Sequence, residues 1–216
     1  MKTEIERLVR EGRIIAIIRG FAPEICLRLA EAYAEGGIRL VEVTFNQKAP
    51  ETWSDTANAI RAIGEHFGGE VRVGAGTVLS EEQLSMMEQS GGEYMITPSV
   101  NEGLIRECVR RGLVAMPGAL TPSEAVAAYE AGASFVKIFP AGSLGSAYVK
   151  AIRAPLSHIP MLAVGGISAD NVADFMKVGC VGAGVGGKLS NSEWVAAGEW
   201  GKITEVAKEL IERSKI

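Results

Sequence analysis

Eight short apolar runs, each followed by a polar or Gly/Pro turn and a helix-sized amphipathic stretch, recur from one end of the chain to the other. They fall at 13–18, 38–45, 71–75, 94–97, 113–116, 134–139, 160–164 and 180–185. Strands that alternate with helices need right-handed crossovers and build a parallel sheet. Eight such units in 216 residues predict a single α/β domain, a closed (β/α)₈ TIM barrel with an extra N-terminal helix at 2–11. Ile5, Leu8 and Val9 give that helix an apolar side suited to covering the bottom of the barrel. A chain shorter than the usual barrel of about 250 residues leaves room only for brief loops and a small substrate.

Helix starts carry their own marks. Thr3-x-x-Glu6, Ser80-x-x-Gln83, Ser99-x-x-Glu102 and Thr121-Pro122-x-Glu124 read as capping boxes. Ile203, Val206, Ala207, Leu210 and Ile211 lie on one face of a closing helix. With 47% hydrophobic residues the chain can bury a core. Its 22 Lys+Arg against 26 Asp+Glu, with no basic run, argue against nucleic acid as a partner. No apolar stretch reaches the roughly 18 residues of a membrane span, and the charged opening lacks a signal core, so a cytoplasmic protein is expected. Cys26, Cys108 and Cys180 suit reduced core thiols, and two isolated histidines, His66 and His158, read as surface residues and speak against a zinc site. Met86-Met87 reads as helix core.

Charged residues inside strands are the informative exceptions, because both faces of a barrel strand are mostly apolar. Lys137, in Phe135-Val136-Lys137-Ile138-Phe139-Pro140, is flanked by groups that desolvate an ammonium, lower its pKa and free the amine for attack on a ketone. The same position equally suits a lysine whose head snorkels into the mouth. On the second strand, parity places Leu40, Glu42, Thr44 and Asn46 on one face and Val41, Val43 and Phe45 on the other. That face offers a carboxylate, a hydroxyl and an amide to one cavity, which suits acid/base work, or else Glu42 forms a structural ion pair with Lys137 or Arg19. Burial and a nearby cation act oppositely on a carboxylate, so residue order leaves the net shift open. Arg19 ends the first strand, where a guanidinium can grip a carboxylate or phosphate or serve as a plain strand-end charge.

Gly165-Gly166 and Gly186-Gly187 follow the seventh and eighth strands, the place where barrels often bind phosphate on backbone N–H groups beside a short extra helix. Ser190 to Trp194 supplies a start for such a helix. Tight turns explain either pair but less readily both. Gly182-x-Gly184-x-x-Gly187 fits a dinucleotide fingerprint, yet no further strand follows to carry the ribose-binding acid. Gly74-Ala75-Gly76-Thr77 reads as a tight strand exit that delivers Thr77 to the mouth.

With these residues in place, the sequence resembles the class I 2-keto-3-deoxy-6-phosphogluconate aldolases, also called 4-hydroxy-2-oxoglutarate aldolases. The resemblance runs through Ala16-Ile17-Ile18-Arg19, the segment 37–44, Gly74-Ala75-Gly76-Thr77-Val78-Leu79, Ile96-Thr97-Pro98, Met116-Pro117-Gly118, Val136-Lys137-Ile138-Phe139-Pro140-Ala141, Val164-Gly165-Gly166-Ile167 and 182–187. It implies a Schiff-base lysine at Lys137 and a general acid/base at Glu42. It also implies a pyruvate-carboxylate holder at Thr77, and pocket walls at Pro98 and Phe139. Arg19 and the two glycine pairs would hold the polar ends of a phosphorylated keto-acid substrate. The family uses no metal or cofactor and forms homotrimers, so the resemblance implies both. Three positions depart from the gluconate pattern. Asn46 stands in place of an arginine, Gly187 in place of a serine, and Val164 in place of a threonine, the last as in 6-phosphogalactonate-type relatives. A sugar-phosphate isomerase or epimerase with Glu42 as base, or a non-catalytic phosphate sensor, would use the same barrel.

Overall fold

The structure is a computed structural model that describes residues 2–215. Its strands are β1 (Ile14–Ile18), β2 (Leu40–Thr44), β3 (Arg72–Gly76), β4 (Tyr94–Ile96), β5 (Val114–Met116), β6 (Gly118–Ala119), β7 (Val136–Ile138), β8 (Met161–Val164) and β9 (Gly182–Val185). All neighbours pair in parallel, in the order β5-β4-β3-β2-β1-β9-β8-β7-β6. The two ends of that list, β5 and β6, are consecutive in the chain and separated only by Pro117. They are halves of the fifth apolar run, which therefore extends beyond Met116. Pro117 has no N–H for the ladder and divides it, while its carbonyl accepts from Lys137 N at 2.8 Å. The eightfold barrel is thus present, nearly closed, with its seam at a proline.

Helices cover the outside: α1 (Lys2–Gly12), α2 (Pro23–Glu35), α3 (Trp53–Phe67), α4 (Glu81–Gln89), α5 (Glu102–Arg110), α6 (Pro122–Glu130), α7 (Ala141–Leu144), α8 (Ser146–Arg153), α9 (Val172–Lys177), α10 (Ser192–Ala196) and α11 (Trp200–Ser214). Strand parity sorts the core into two clusters. Val41, Val43, Phe45, Val136 and Ile138 pack outward against helices. Ile15, Leu40, Tyr94, Ile96, Phe135, Leu162 and Val164 fill the lumen, joined from below by Ile5 and Val9 of α1. Burying each of those two side chains contributes about 1.5–3 kcal/mol, so α1 seals the barrel floor rather than merely approaching it.

The Thr121–Glu124 capping box forms, and Ser80 Oγ accepts from Gln83 N at 3.2 Å. Two expected caps are corrected. Thr3 lies inside α1, which already begins at Lys2. The cap of α5 is Asn101, whose Oδ1 accepts from Leu104 N at 3.1 Å; the Ser99 carbonyl is instead taken by the Thr97 hydroxyl. Ile203, Ala207 and Leu210 of α11 are buried, and the three cysteines are free and buried, with thiols pushed up to about 12 by burial. Met87 is core, whereas His66 is exposed with Nε2 3.4 Å from Glu31. Among the described residues no helix is long and apolar enough to cross a membrane.

Candidate active site

At the C-terminal mouth, β7 and β2 deliver Lys137 and Glu42 into the lumen. Both are almost fully enclosed, at 6% and 2% exposure. Their strand neighbours explain the placement: Phe135 and Phe139 share the lumen side with Lys137, as Leu40 does with Glu42. Lys137 Nζ sits 4.8 Å from the centroid of the Phe139 ring, so the head lies over that ring inside the lumen rather than snorkelling out.

The two groups are pushed in opposite directions. Burial lowers the Lys137 ammonium below the usual lysine range, with Glu42 partly offsetting and Arg19 reinforcing that change. Burial raises the Glu42 carboxyl, and the attraction of Lys137 and Arg19 offsets only part. Desolvation therefore outweighs the charges at both ends, shifting the lysine pKa down and the carboxyl pKa up. Glu42 Oε2 is buried with no hydrogen-bond partner, so this oxygen is not consumed by a structural ion pair. A buried carboxyl oxygen without a hydrogen-bond partner is left available to a bound molecule.

Glycine makes this geometry possible. Gly76, paired with Thr44 across β2–β3, lies against the Glu42 side chain, and a Cβ there would fall within the carboxylate. Gly74 gives way in the same manner to the ring of Tyr94, whose hydroxyl donates to Val41 O at 2.6 Å below Glu42. The 74–77 segment reads in sequence as a tight exit; its lumen-side alternation of two glycines is the signal that it also clears space.

Thr77 follows at φ 56°, a left-handed conformation that is strained for a β-branched residue and costs of order 1–3 kcal/mol. Pro98 lies at the β4 exit, where a Cβ on Gly118 would meet its carbonyl at 2.5 Å, so the seam and this wall are packed together. Thr44 is buried at the top of β2, whereas Asn46 lies past the strand end and is exposed. Its Oδ1 accepts from Lys48 N at 3.0 Å, and with Thr44, Thr52 and Asp55 it borders a cavity of about 300 Å³ between the β1 and β2 exits and α3. Parity thus holds through Phe45, which packs outward. Arg19 is exposed just beyond β1 and acts on both buried groups through its field.

Val164, 5% exposed, closes the lumen wall on β8 against Gly184 of β9. Because β8 and β9 are neighbours, the two glycine pairs emerge side by side. Gly165 and Gly166 have φ 87° and 74°, and Gly142 N donates to Gly165 O at 2.7 Å. A Cβ on Gly165 would lie 2.9 Å from the Phe139 ring. The turn reading therefore accounts for this pair's backbone. Gly187 has open space around it, and no left-handed angle requires glycine there. Exposed Lys188 pairs with Asp170 at 3.0 Å, tying the two loops. The short helix foreseen from Ser190 onward is α10, but Asn191 Oδ1 already accepts from Glu193 N and Trp194 N, at 2.9 and 3.1 Å. Those donors are satisfied by the chain itself. One residue set was not foreseen: the buried Tyr33 hydroxyl lies 2.7 Å from Ser190 Oγ, which donates to Ile17 O at 3.0 Å and anchors the loop after β9.

The architecture is that of a parallel (β/α)₈ barrel protein with a lysine and a carboxyl buried in its lumen. The family model "Aldolase: KDPG and KHG aldolase" matches residues 5–206, and the chain belongs to that family. It is 38% identical over 177 residues to the 2-dehydro-3-deoxy-6-phosphogalactonate aldolase of Escherichia coli K12, covering 82% of this chain and 83% of that one. It is 31% identical over 219 residues to the KHG/KDPG aldolase of the same organism, covering 100% and 98%. Among solved structures, one described as "Native KDPGal structure" superposes with a TM-score of 0.82 at 34% identity, covering 93% of each chain.

Proposed function

We propose that the protein is a Schiff-base aldolase that cleaves 2-keto-3-deoxy-6-phosphogluconate to pyruvate and glyceraldehyde 3-phosphate. The observation that carries this reading is the buried Lys137–Glu42 pair with opposed shifts and an unpartnered Glu42 oxygen. Lys137 Nζ attacks the C2 ketone, and Glu42 donates a proton as the carbinolamine loses water to give an iminium. A base, Glu42 directly or through a water, takes the C4 hydroxyl proton. The C4–O electrons form the aldehyde, the C3–C4 bond breaks, and its pair moves into the iminium to give an enamine. Glyceraldehyde 3-phosphate leaves, C3 takes a proton, and water hydrolyses the imine to pyruvate and free Lys137. The iminium is the electron sink, so the scheme uses no metal or cofactor.

Thr77 holds the carboxylate end in this reading. Thr44, Pro98 and Phe139 wall the pocket, and Arg19 with Asn46 faces the entering polar groups. The N–H groups of Gly165, Gly166, Gly186 and Gly187 receive the phosphate. The same chemistry takes 4-hydroxy-2-oxoglutarate to pyruvate and glyoxylate, and the homotrimer implied by the family is the proposed assembly.

Val164 favours a second reading in which the substrate is the 6-phosphogalactonate epimer, inverted at C4. A methyl on the lumen wall cannot hydrogen-bond a hydroxyl and so does not select the gluco configuration. The relative at 38% identity bears the galactonate name. Coupled pyruvate assays on both epimers test this directly. Val164→Thr is expected to move the kcat/KM ratio toward the gluco epimer by about tenfold. An unchanged ratio removes Val164 from specificity, and no cleavage of either epimer removes the proposed function.

A further inference from the structure

The strained turn at Thr77 is held by a chain of side-chain amides outside the pocket. Gln47, on the β2–α3 connection, donates from Nε2 to Thr77 O at 2.7 Å. Its Oε1 accepts from Gln83 Nε2 at 3.1 Å. Gln83 in turn accepts at Oε1 from Leu79 N at 2.7 Å, and its own N–H is fixed on Ser80 Oγ. Gln83 is fully buried, at 0% exposure, in the first turn of α4.

The direction of this chain is forced at both ends. Thr77 O can only accept and Leu79 N–H can only donate, so each glutamine has one amide orientation that satisfies all three bonds. A buried side-chain amide whose nitrogen and oxygen are both hydrogen-bonded rigidifies what it touches. What it positions is a threonine at φ 56°, which would relax if its carbonyl were released. Gln47 lies five residues after Glu42 in the same chain segment, so the link also ties the loop after the acid/base strand to the loop bearing Thr77.

We propose that Gln47 and Gln83 are positioning residues for pyruvate: they clamp Thr77 in the conformation that receives the carboxylate of the keto acid. This rests on the aldolase reading above. A population of relaxed Thr77 would weaken apparent pyruvate binding in proportion to the competent fraction, without touching the chemistry at Lys137.

The test is condensation of pyruvate with D-glyceraldehyde 3-phosphate by the full chain, with both KM values and kcat measured. Gln47 is exposed, so its variants keep the core intact. Gln47→Glu still accepts from Gln83 but sets a carboxylate oxygen against Thr77 O, and Gln47→Ala removes the link. Both are expected to raise the pyruvate KM by about fivefold or more, with kcat and the aldehyde KM within about twofold of wild type. A pyruvate KM that stays put in both variants overturns the clamp. So does an aldehyde KM that rises in step with it, since general loosening moves both. Wild-type protein that fails to exchange the methyl hydrogens of pyruvate with D₂O overturns the aldolase reading, and the clamp with it. Normal exchange with unchanged KM values overturns the clamp alone.

Discussion

Lys137→Met is expected to lower kcat/KM by on the order of 10⁴-fold or more while leaving the barrel folded. Methionine matches the length and apolar body of lysine, and its site, between Phe135 and Phe139 on the lumen side, already desolvates the ammonium. The variant lacks the proposed nucleophile but fills the same space, so melting at neutral pH should be no lower than in wild type. The pH dependence has a definite sign. Because burial lowers the Lys137 pKa in the folded state, its contribution to stability is present above the unfolded value and is lost as pH falls through the folded one. Any advantage of the methionine variant should therefore shrink as pH rises toward the free lysine value of about 10.4. Thermal melts across that range check it. Substantial residual turnover would remove Lys137 from its role.

Gly76→Ala should be nearly as damaging, although glycine-to-alanine on a strand is usually mild. The new methyl would occupy the space of the Glu42 carboxylate, which is enclosed and cannot swing to solvent. Displacing that group is expected to cost about 10²–10⁴-fold in kcat, the usual worth of a positioned acid/base. Overpacking should cost about 1–3 kcal/mol in stability by urea titration. The position has no left-handed angle, so the effect comes from the carboxylate and not from backbone strain. A Gly76→Ala enzyme with wild-type pH–rate behaviour would show that Glu42 does not work where it lies.

Much of this arrangement was legible in residue order. The β/α alternation is periodic enough to give the barrel, and period-two parity placed Glu42 with Leu40 and Thr44 inside and Val41, Val43 and Phe45 outside. Parity is a property of continuous strands, and past the end of β2 Asn46 is exposed, its side chain accepting from Lys48 N while it borders the same cavity as Thr44. The sign of the Glu42 shift depends on how far burial outweighs two cations, a three-dimensional quantity, and it comes out raised. Ser99 and Thr3 had the right spacing for caps, yet helix starts are set by which side chain has a free acceptor at the last extended residue, and Asn101 held that place. The amides of Gln47 and Gln83 carry no spacing signal at all, because they are 36 residues apart and meet only through neighbouring strand exits.

In the proposed mechanism Lys137 forms an imine with the keto acid. Incubating the protein with pyruvate and sodium borohydride, then measuring the intact mass and the modified peptide, tests it directly. One reduced pyruvate adduct per chain is expected, on Lys137, and none in Lys137→Met. No adduct, under conditions that label a known Schiff-base aldolase, or an adduct on another lysine, would contradict it.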